Sequence, residues 1–171
     1  HEIIDRRAFL ASAGASLIAG TGARAQLPGK TYRIAIAVTG QPISDIAETG
    51  HPDFVALLGE LRRLGYVEGR NLTVQRWSTE SRPVSVSEFD ALARQVVGDR
   101  PDLIYANGND LTLALKHATA AIPIVFVSAT PVESGLVTSL ARPGGNATGF
   151  ATTTGPERGG KNLQLLRDAV P

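Results

Sequence analysis

Residues 101–131, PDLIYANGNDLTLALKHATAAIPIVFVSATP, decide the fold. Leu103-Ile-Tyr-Ala106 is a short apolar run that stops at Asn107-Gly108-Asn109-Asp110, a cluster of turn and helix-cap residues. Leu111, Leu113, Ala114, Leu115, Ala118 and Ala121 follow with mostly helical spacing, and Pro123 ends the pattern. Ile124-Val-Phe-Val127 then reads as a second buried strand. Two strands joined through a helix lie parallel, with a right-handed crossover. Their carboxyl ends therefore point the same way, and Asn107-Gly108-Asn109 and Ser128-Ala129-Thr130 fall on one rim of a sheet. That rim is where open α/β sheets bind ligands.

Working outward, the same alternation continues. Thr31-Tyr-Arg-Ile-Ala-Ile-Ala-Val38 reads as a central first strand that ends at Thr39-Gly40-Gln41-Pro42. Phe54, Leu57, Leu58, Leu61 and Leu64 have helical spacing, with Gly65 at the place of a C-terminal glycine cap. Leu72, Val74 and Arg76 alternate with Thr73, Gln75 and Trp77 in an edge strand. The polar stretch from Ser78 to Ser87 is a loop over the sheet edge, and Phe89, Leu92, Ala93, Val96 and Val97 mark a second helix ending near Gly98. Val132 to Leu140 forms a short helix in this reading, Ala147-Thr-Gly-Phe-Ala151 a fifth strand, and Gly160 to Val170 a last helix. The sum is an α/β fold with a doubly wound, parallel, five-stranded sheet in the order 2-1-3-4-5. That order puts the first strand beside the third and adds Thr39 and Gly40 to the crevice.

A chain of 171 residues with 43% apolar content suits one domain with a substantial core. Seventeen basic and sixteen acidic residues, with no long run of one sign, leave a net charge of +1 and no electrostatic footprint for nucleic acid. Cysteine is absent, which excludes thiolate catalysis, cysteine metal sites and disulfides. The N-terminus has an address. Arg6-Arg7-Ala8-Phe9-Leu10 precedes the small-residue run from Ala11 to Ala19, and Ala23-Arg24-Ala25 follows as an A-x-A cleavage site. Residues 1–25 therefore read as a twin-arginine-like signal peptide, cleaved after Ala25, and the expected location is the periplasm. The apolar run is too short and too rich in Gly, Ser and Ala for a membrane anchor of about 20 apolar residues.

Chemistry on the rim is uncharged. The loops Thr39-Gly40-Gln41, Asn107-Gly108-Asn109-Asp110 and Ser128-Ala129-Thr130 are each expected between a strand and a helix, where backbone N–H groups and hydroxyl or amide side chains suit a carboxylate or another small polar group. No metal and no cofactor is called for. The sequence holds no G-x-S-x-G elbow, no Walker loop, no G-x-G-x-x-G and no H-E-x-x-H. His51 and His117 have no second ligand at a useful spacing and read as structural, as does Trp77. Asn71-Leu-Thr73 and Asn146-Ala-Thr148 match the glycosylation pattern by chance.

Gly65-Tyr-Val-Glu-Gly-Arg-Asn71, Ile122-Pro-Ile-Val125, Pro131-Val132, Gly135-Leu-Val-Thr-Ser-Leu-Ala-Arg-Pro-Gly-Gly-Asn146 and Thr148-Gly149 resemble bacterial ABC transporter substrate-binding proteins of the tryptophan/tyrosine type. The resemblance runs from about Tyr32 to Pro171 and implies one lobe of a type I periplasmic-binding fold. Residues 32–159 would be the N-terminal lobe, and residues 160–171 a helix leading to the hinge and a second lobe. It further implies a monomeric, non-enzymatic solute-binding component of an importer, with an amino acid or similar small organic solute held in an interlobe cleft and an ABC permease in the inner membrane as partner. By position, ligand contacts fall on Thr39, Gly40, Asn107, Gly108, Asn109, Ser128, Ala129 and Thr130. The family often carries a Gly-Thr-Pro type loop where this chain has Gly108-Asn109-Asp110, and an Asp where it has Thr130. The other reading of the same residues is an exported α/β enzyme acting on a small carboxylate, with Asp110 as base.

Overall fold

A computed structural model describes residues 29–80, 83–139 and 141–152. The signal segment and the helix expected from Gly160 to Val170 lie outside the described residues, as does Leu140. Five strands form one sheet in the order β2-β1-β3-β4-β5, and every neighbouring pair is parallel. The strands are β1 (Tyr32–Val38), β2 (Leu72–Ser78), β3 (Leu103–Asn107), β4 (Ile124–Ser128) and β5 (Ala147–Ala151). The helices are α1 (Pro52–Arg63), α2 (Val86–Gly98) and α3 (Asn109–Ala118). A 3₁₀ turn at Ile43–Asp45, unmarked in the sequence pattern, lies between β1 and α1.

Two apolar clusters sandwich the sheet. Ile36 and Val38 of β1 and Leu72 and Val74 of β2 pack with Phe54 and Leu58 of α1 on one face. Ala35 and Ala37 of β1, with Ile104, Ala106, Ile124 and Phe126, pack with Ala93 and Val96 of α2 and Leu111, Ala114 and Leu115 of α3 on the other. Successive side chains of a strand point to opposite faces, so the unbroken apolar run of β1 serves both layers.

Local chemistry sets the boundaries. His51 caps α1 through Nδ1, which accepts from the Asp53 N–H at 3.4 Å, and Pro52 occupies the first turn, where its missing N–H costs nothing. At the other end, Gly65 adopts φ 90°, its N–H donates to Arg62 and that of Tyr66 to Leu61. That pair of bonds is the Schellman closure for which the glycine is suited. Leu64 is not part of the buried face and stands exposed at the cap. Ser85 and Glu88 form a reciprocal capping box at the start of α2. At the β2 edge, Arg76 holds both Glu68 carboxylate oxygens at 2.7 Å and also donates to the Ile46 carbonyl at 2.7 Å.

Two expectations need correction. The third helix ends at Ala118 rather than continuing through Ala121 towards Pro123. Thr119 turns extended at φ −148°, its hydroxyl accepts from the N–H groups of Ala121 and Ile122 at 3.2 Å, and this side-chain turn replaces the helical bonds. Asn146 takes the released Thr119 and Ile122 carbonyls at 2.9 and 2.8 Å. The second correction concerns residues 132–139, which form turns and no helix. Gly135 at φ 73° breaks the pattern, while Leu136 and Val137 drop into the core and Lys116 of α3 donates to the Leu136 carbonyl. Burial of adjacent apolar residues was met here by an irregular loop.

Candidate functional site

Strand register builds the site. Val38 pairs with Ser78 on one side and with Asn107 on the other, and Asn107 pairs with Val127. The residues one step further, Thr39, Thr79, Gly108 and Ser128, therefore emerge in one row along the carboxyl rim, on either side of the point where strand order reverses. Backbone bonds lock the row. The Thr79 N–H donates to the Val38 carbonyl at 3.2 Å, Gly108 to Val127 at 3.1 Å, and Gly40 to Glu80 at 3.0 Å.

Asn109 is the hub of the row. The Ser128 hydroxyl donates to its Oδ1, and its Nδ2 donates to the Thr130 hydroxyl at 2.8 Å. Both amide ends are thereby oriented. Ser128 is only 2% exposed, so its hydroxyl serves to hold Asn109. One N–H of the Asn109 amide and the Thr130 O–H donate to no described residue, and both suit an acceptor. The Thr39 hydroxyl donates to the Asn107 carbonyl at 3.3 Å, and Gly108 packs against it with φ 115°. Helix α3 starts at Asn109 with Gly108 as N-cap and no side-chain cap, which leaves its first-turn N–H groups and the positive end of its dipole at the rim. Gly40 and Ala129 are exposed, while Thr39, Asn107, Gly108, Asn109 and Thr130 are half-buried.

All eight residues singled out from the sequence thus lie on one rim, in three loops that touch. Their setting differs in two respects. Thr39-Gly40-Gln41 leads into the 3₁₀ turn at Ile43–Asp45, and α1 starts only at Pro52, so no α-helix N-terminus lies at that loop. Ser128-Ala129-Thr130 precedes turns rather than a helix, so that loop contributes side chains and no helix dipole. Sequence reasoning also missed part of the rim. Thr79 and Glu80 belong to the stretch read from the sequence as a loop over the sheet edge, yet Gly40 bonds to Glu80, and Thr79 and Glu80, with Thr39, Pro83, Val84 and Phe89, line an open pocket of about 450 Å³. The strand order itself was the available signal, because a β2 lying beside β1 delivers its following loop to the same rim.

Asp110, the base of the enzymatic reading, is exposed in the first turn of α3. Among the described residues, no group of three or more His, Cys, Asp or Glu side chains could hold a metal ion. No described helix is long and apolar enough to cross a membrane.

A parallel 2-1-3-4-5 sheet with a polar carboxyl rim is the architecture of a periplasmic-binding-protein lobe. The chain belongs to the ABC transporter substrate binding protein family, whose model matches residues 55–171. It is 33% identical over 108 residues to a tyrosine-binding protein of Clostridioides difficile, a match covering 63% of this chain and 30% of that relative. A conserved domain protein from Vibrio cholerae superposes with a TM-score of 0.63 at 29% identity, covering 79% of this chain and 43% of the other. The ligand-free, open structure of a Clostridium difficile substrate binding protein with adhesive properties gives a TM-score of 0.61 at 23% identity, again over 79% and 43%. A domain from Streptococcus pneumonia in complex with L-Trp gives 0.55 at 20% identity, over 71% and 39%. At 23% and 20% the likeness lies in the fold. The chain spans less than half the length of each of these proteins.

Proposed function

We propose that this chain is the N-terminal lobe of an exported solute-binding protein that captures an amino acid or similar small organic solute between two lobes and hands it to an inner-membrane ABC permease for import. The observation that carries the reading is the orientation of Asn109 by Ser128 and Thr130 beside Thr39, which leaves fixed uncharged donors on a rim. Fixed donors hold a carboxylate without a metal or cofactor and release it when the partner wall moves away. Thr39, Gly40, Asn107, Gly108, Asn109, Ala129 and Thr130 meet the ligand in this account, with Ser128 behind Asn109. A second wall is required, because small-molecule sites enclose about 70–90% of their ligand and an open rim cannot. Residues 160–171 would lead to that wall, and residues 1–25 would export the protein before cleavage. The protein performs no chemistry on its ligand.

The test is native mass spectrometry of the full-length mature protein, followed by denaturation and identification of any released small molecule. Tyrosine is the first solute to look for, given the C. difficile relative. An unaltered amino acid, lost in Asn109→Ala, supports the proposal. A chemically altered product would turn the reading to the enzyme, and a solute panel that binds nowhere would remove it.

A further inference from the structure

Asn107-Gly108 is the only Asn-Gly step in the sequence, and it stands at the end of β3 in the middle of the rim. Asparagine before glycine is the peptide step most prone to deamidation. With no side chain on the second residue, nothing hinders attack by its backbone nitrogen on the asparagine amide carbon.

The structure holds the two reacting groups very differently. The Gly108 N–H, which must lose its proton and attack, donates to the Val127 carbonyl at 3.1 Å. The Asn107 carbonyl accepts the Thr39 hydroxyl at 3.3 Å, and Asn107 lies in strand register between Val38 and Val127. Ring closure requires the Gly108 nitrogen to swing towards the side-chain amide carbon, which breaks its bond to Val127 and takes the end of β3 out of its extended form. The amide under attack is loose by comparison. Asn107 is half-buried, and its side chain makes no hydrogen bond with a described residue. The other described asparagines, Asn71, Asn109 and Asn146, all have their side-chain amides hydrogen-bonded. Asn107 thus combines the reactive sequence with a free carboxamide, and only its backbone restrains it.

We propose that Asn107 is a deamidation site controlled by the rim, unreactive while Gly108 is bonded to Val127 and converted when this strand end opens. In the open state the Gly108 nitrogen gives up its proton to hydroxide and attacks Cγ of Asn107. Ammonia leaves, and a five-membered succinimide remains. Water then opens the ring at either carbonyl to give aspartate or isoaspartate, so that one amide and one water become one carboxylic acid and one ammonia. Either product sets a negative charge beside the neutral side chains of Thr39, Asn109 and Thr130. Isoaspartate also adds a carbon to the backbone where Gly108 packs against Thr39.

The experiment is incubation of the full-length mature protein in mildly alkaline buffer, with and without denaturing urea. Peptide mass spectrometry then separates the asparaginyl, aspartyl and isoaspartyl forms at residue 107. In urea Asn107 should be the first asparagine to convert, and in buffer its rate should fall about tenfold or more, because only the opened fraction reacts. Thr39→Ala removes the hydroxyl bond to the Asn107 carbonyl and should raise the rate in buffer about three- to tenfold without changing the rate in urea. Equal rates with and without urea, or a Thr39→Ala rate unchanged in buffer, overturn control by the rim. Another asparagine converting first in urea overturns the site itself.

Discussion

Gly108 and Thr39 approach so closely that no side chain fits between them: a Cβ on Gly108 would lie 2.6 Å from the Thr39 hydroxyl oxygen and 3.1 Å from its methyl carbon. The contact joins the loops after β1 and β3 at the point where strand order reverses. Gly108 also sits at φ 115° and ψ 141°, a backbone region essentially reserved for glycine.

Gly108→Ala should therefore cost about 2 kcal/mol or more, part from the backbone and part from the clash. The two parts separate. In a Thr39→Ala background the clash is relieved and the backbone cost remains, so urea denaturation should still show a clear loss for the alanine. A Gly108→Ala protein as stable as wild type in the Thr39→Ala background would mean the glycine is there only for space.

Ser128 and Asn109 should behave as a unit. Ser128→Ala removes the donor to the Asn109 amide oxygen, and Asn109→Ala leaves a buried hydroxyl without its partner. Each should destabilise by about 1–2 kcal/mol, and the double variant by less than the sum, with a coupling energy on the order of 1 kcal/mol. Additive losses in chemical denaturation would separate the two side chains and dissolve the hub of the rim.

Much of this was legible from residue pattern alone, and the failures have physical causes. The strands carry period and composition that few other structures share, and the alternation of strands with helices points to a doubly wound parallel sheet. For such a sheet the order 2-1-3-4-5 is one of the two common choices. Register then puts Thr39, Gly108 and Ser128 in a row with no further information. What the pattern hid was side-chain competition with the backbone. Thr119 ends α3 early with its own hydroxyl, and no periodicity announces that. Leu136, Val137 and Leu140 share a helical face on paper, yet Gly135 and the burial of two adjacent side chains favour turns across the described part of that segment. Glu80 was missed for another reason: its place depends on β2 lying beside β1, a tertiary fact whose consequence for the following loop is invisible in a polar stretch read by itself.

Asn146 ties the start of β5 to the segment between α3 and β4. Its amide donates to the Thr119 and Ile122 carbonyls, and its own carbonyl accepts the Ile124 N–H at 2.8 Å. Asn146→Ala keeps the backbone bond and frees two carbonyls, so a loss of about 1–2 kcal/mol is expected. Amide exchange should rise first at residues 147–151 and 119–124, and much less in β1. Uniform acceleration across the sheet would show instead that the segment opens only with the whole fold.

The Arg76–Glu68 pair fixes the sign of one pH effect. Two hydrogen bonds from the guanidinium, with its charge, hold the Glu68 carboxyl below its ordinary 4.5 against the opposing effect of burial, and the same bonds raise Arg76. A folded-state value lowered below the unfolded one means that the folded protein binds the proton less readily. The stabilisation is therefore fully present above about pH 4.5 and is lost as the pH falls through the lowered folded value. Solvent reaches the pair, with the Glu68 side chain 41% exposed, so its worth is about 1 kcal/mol at most and falls with salt. Glu68→Gln should thus lower the urea midpoint slightly at pH 7 and match wild type in strong acid. Because Arg76 also donates to the Ile46 carbonyl, Arg76→Gln should lose more than Glu68→Gln and keep part of that loss in acid, where the carboxylate no longer counts. Equal, pH-independent losses for the two variants would assign the whole effect to packing of the side chains at the β2 edge.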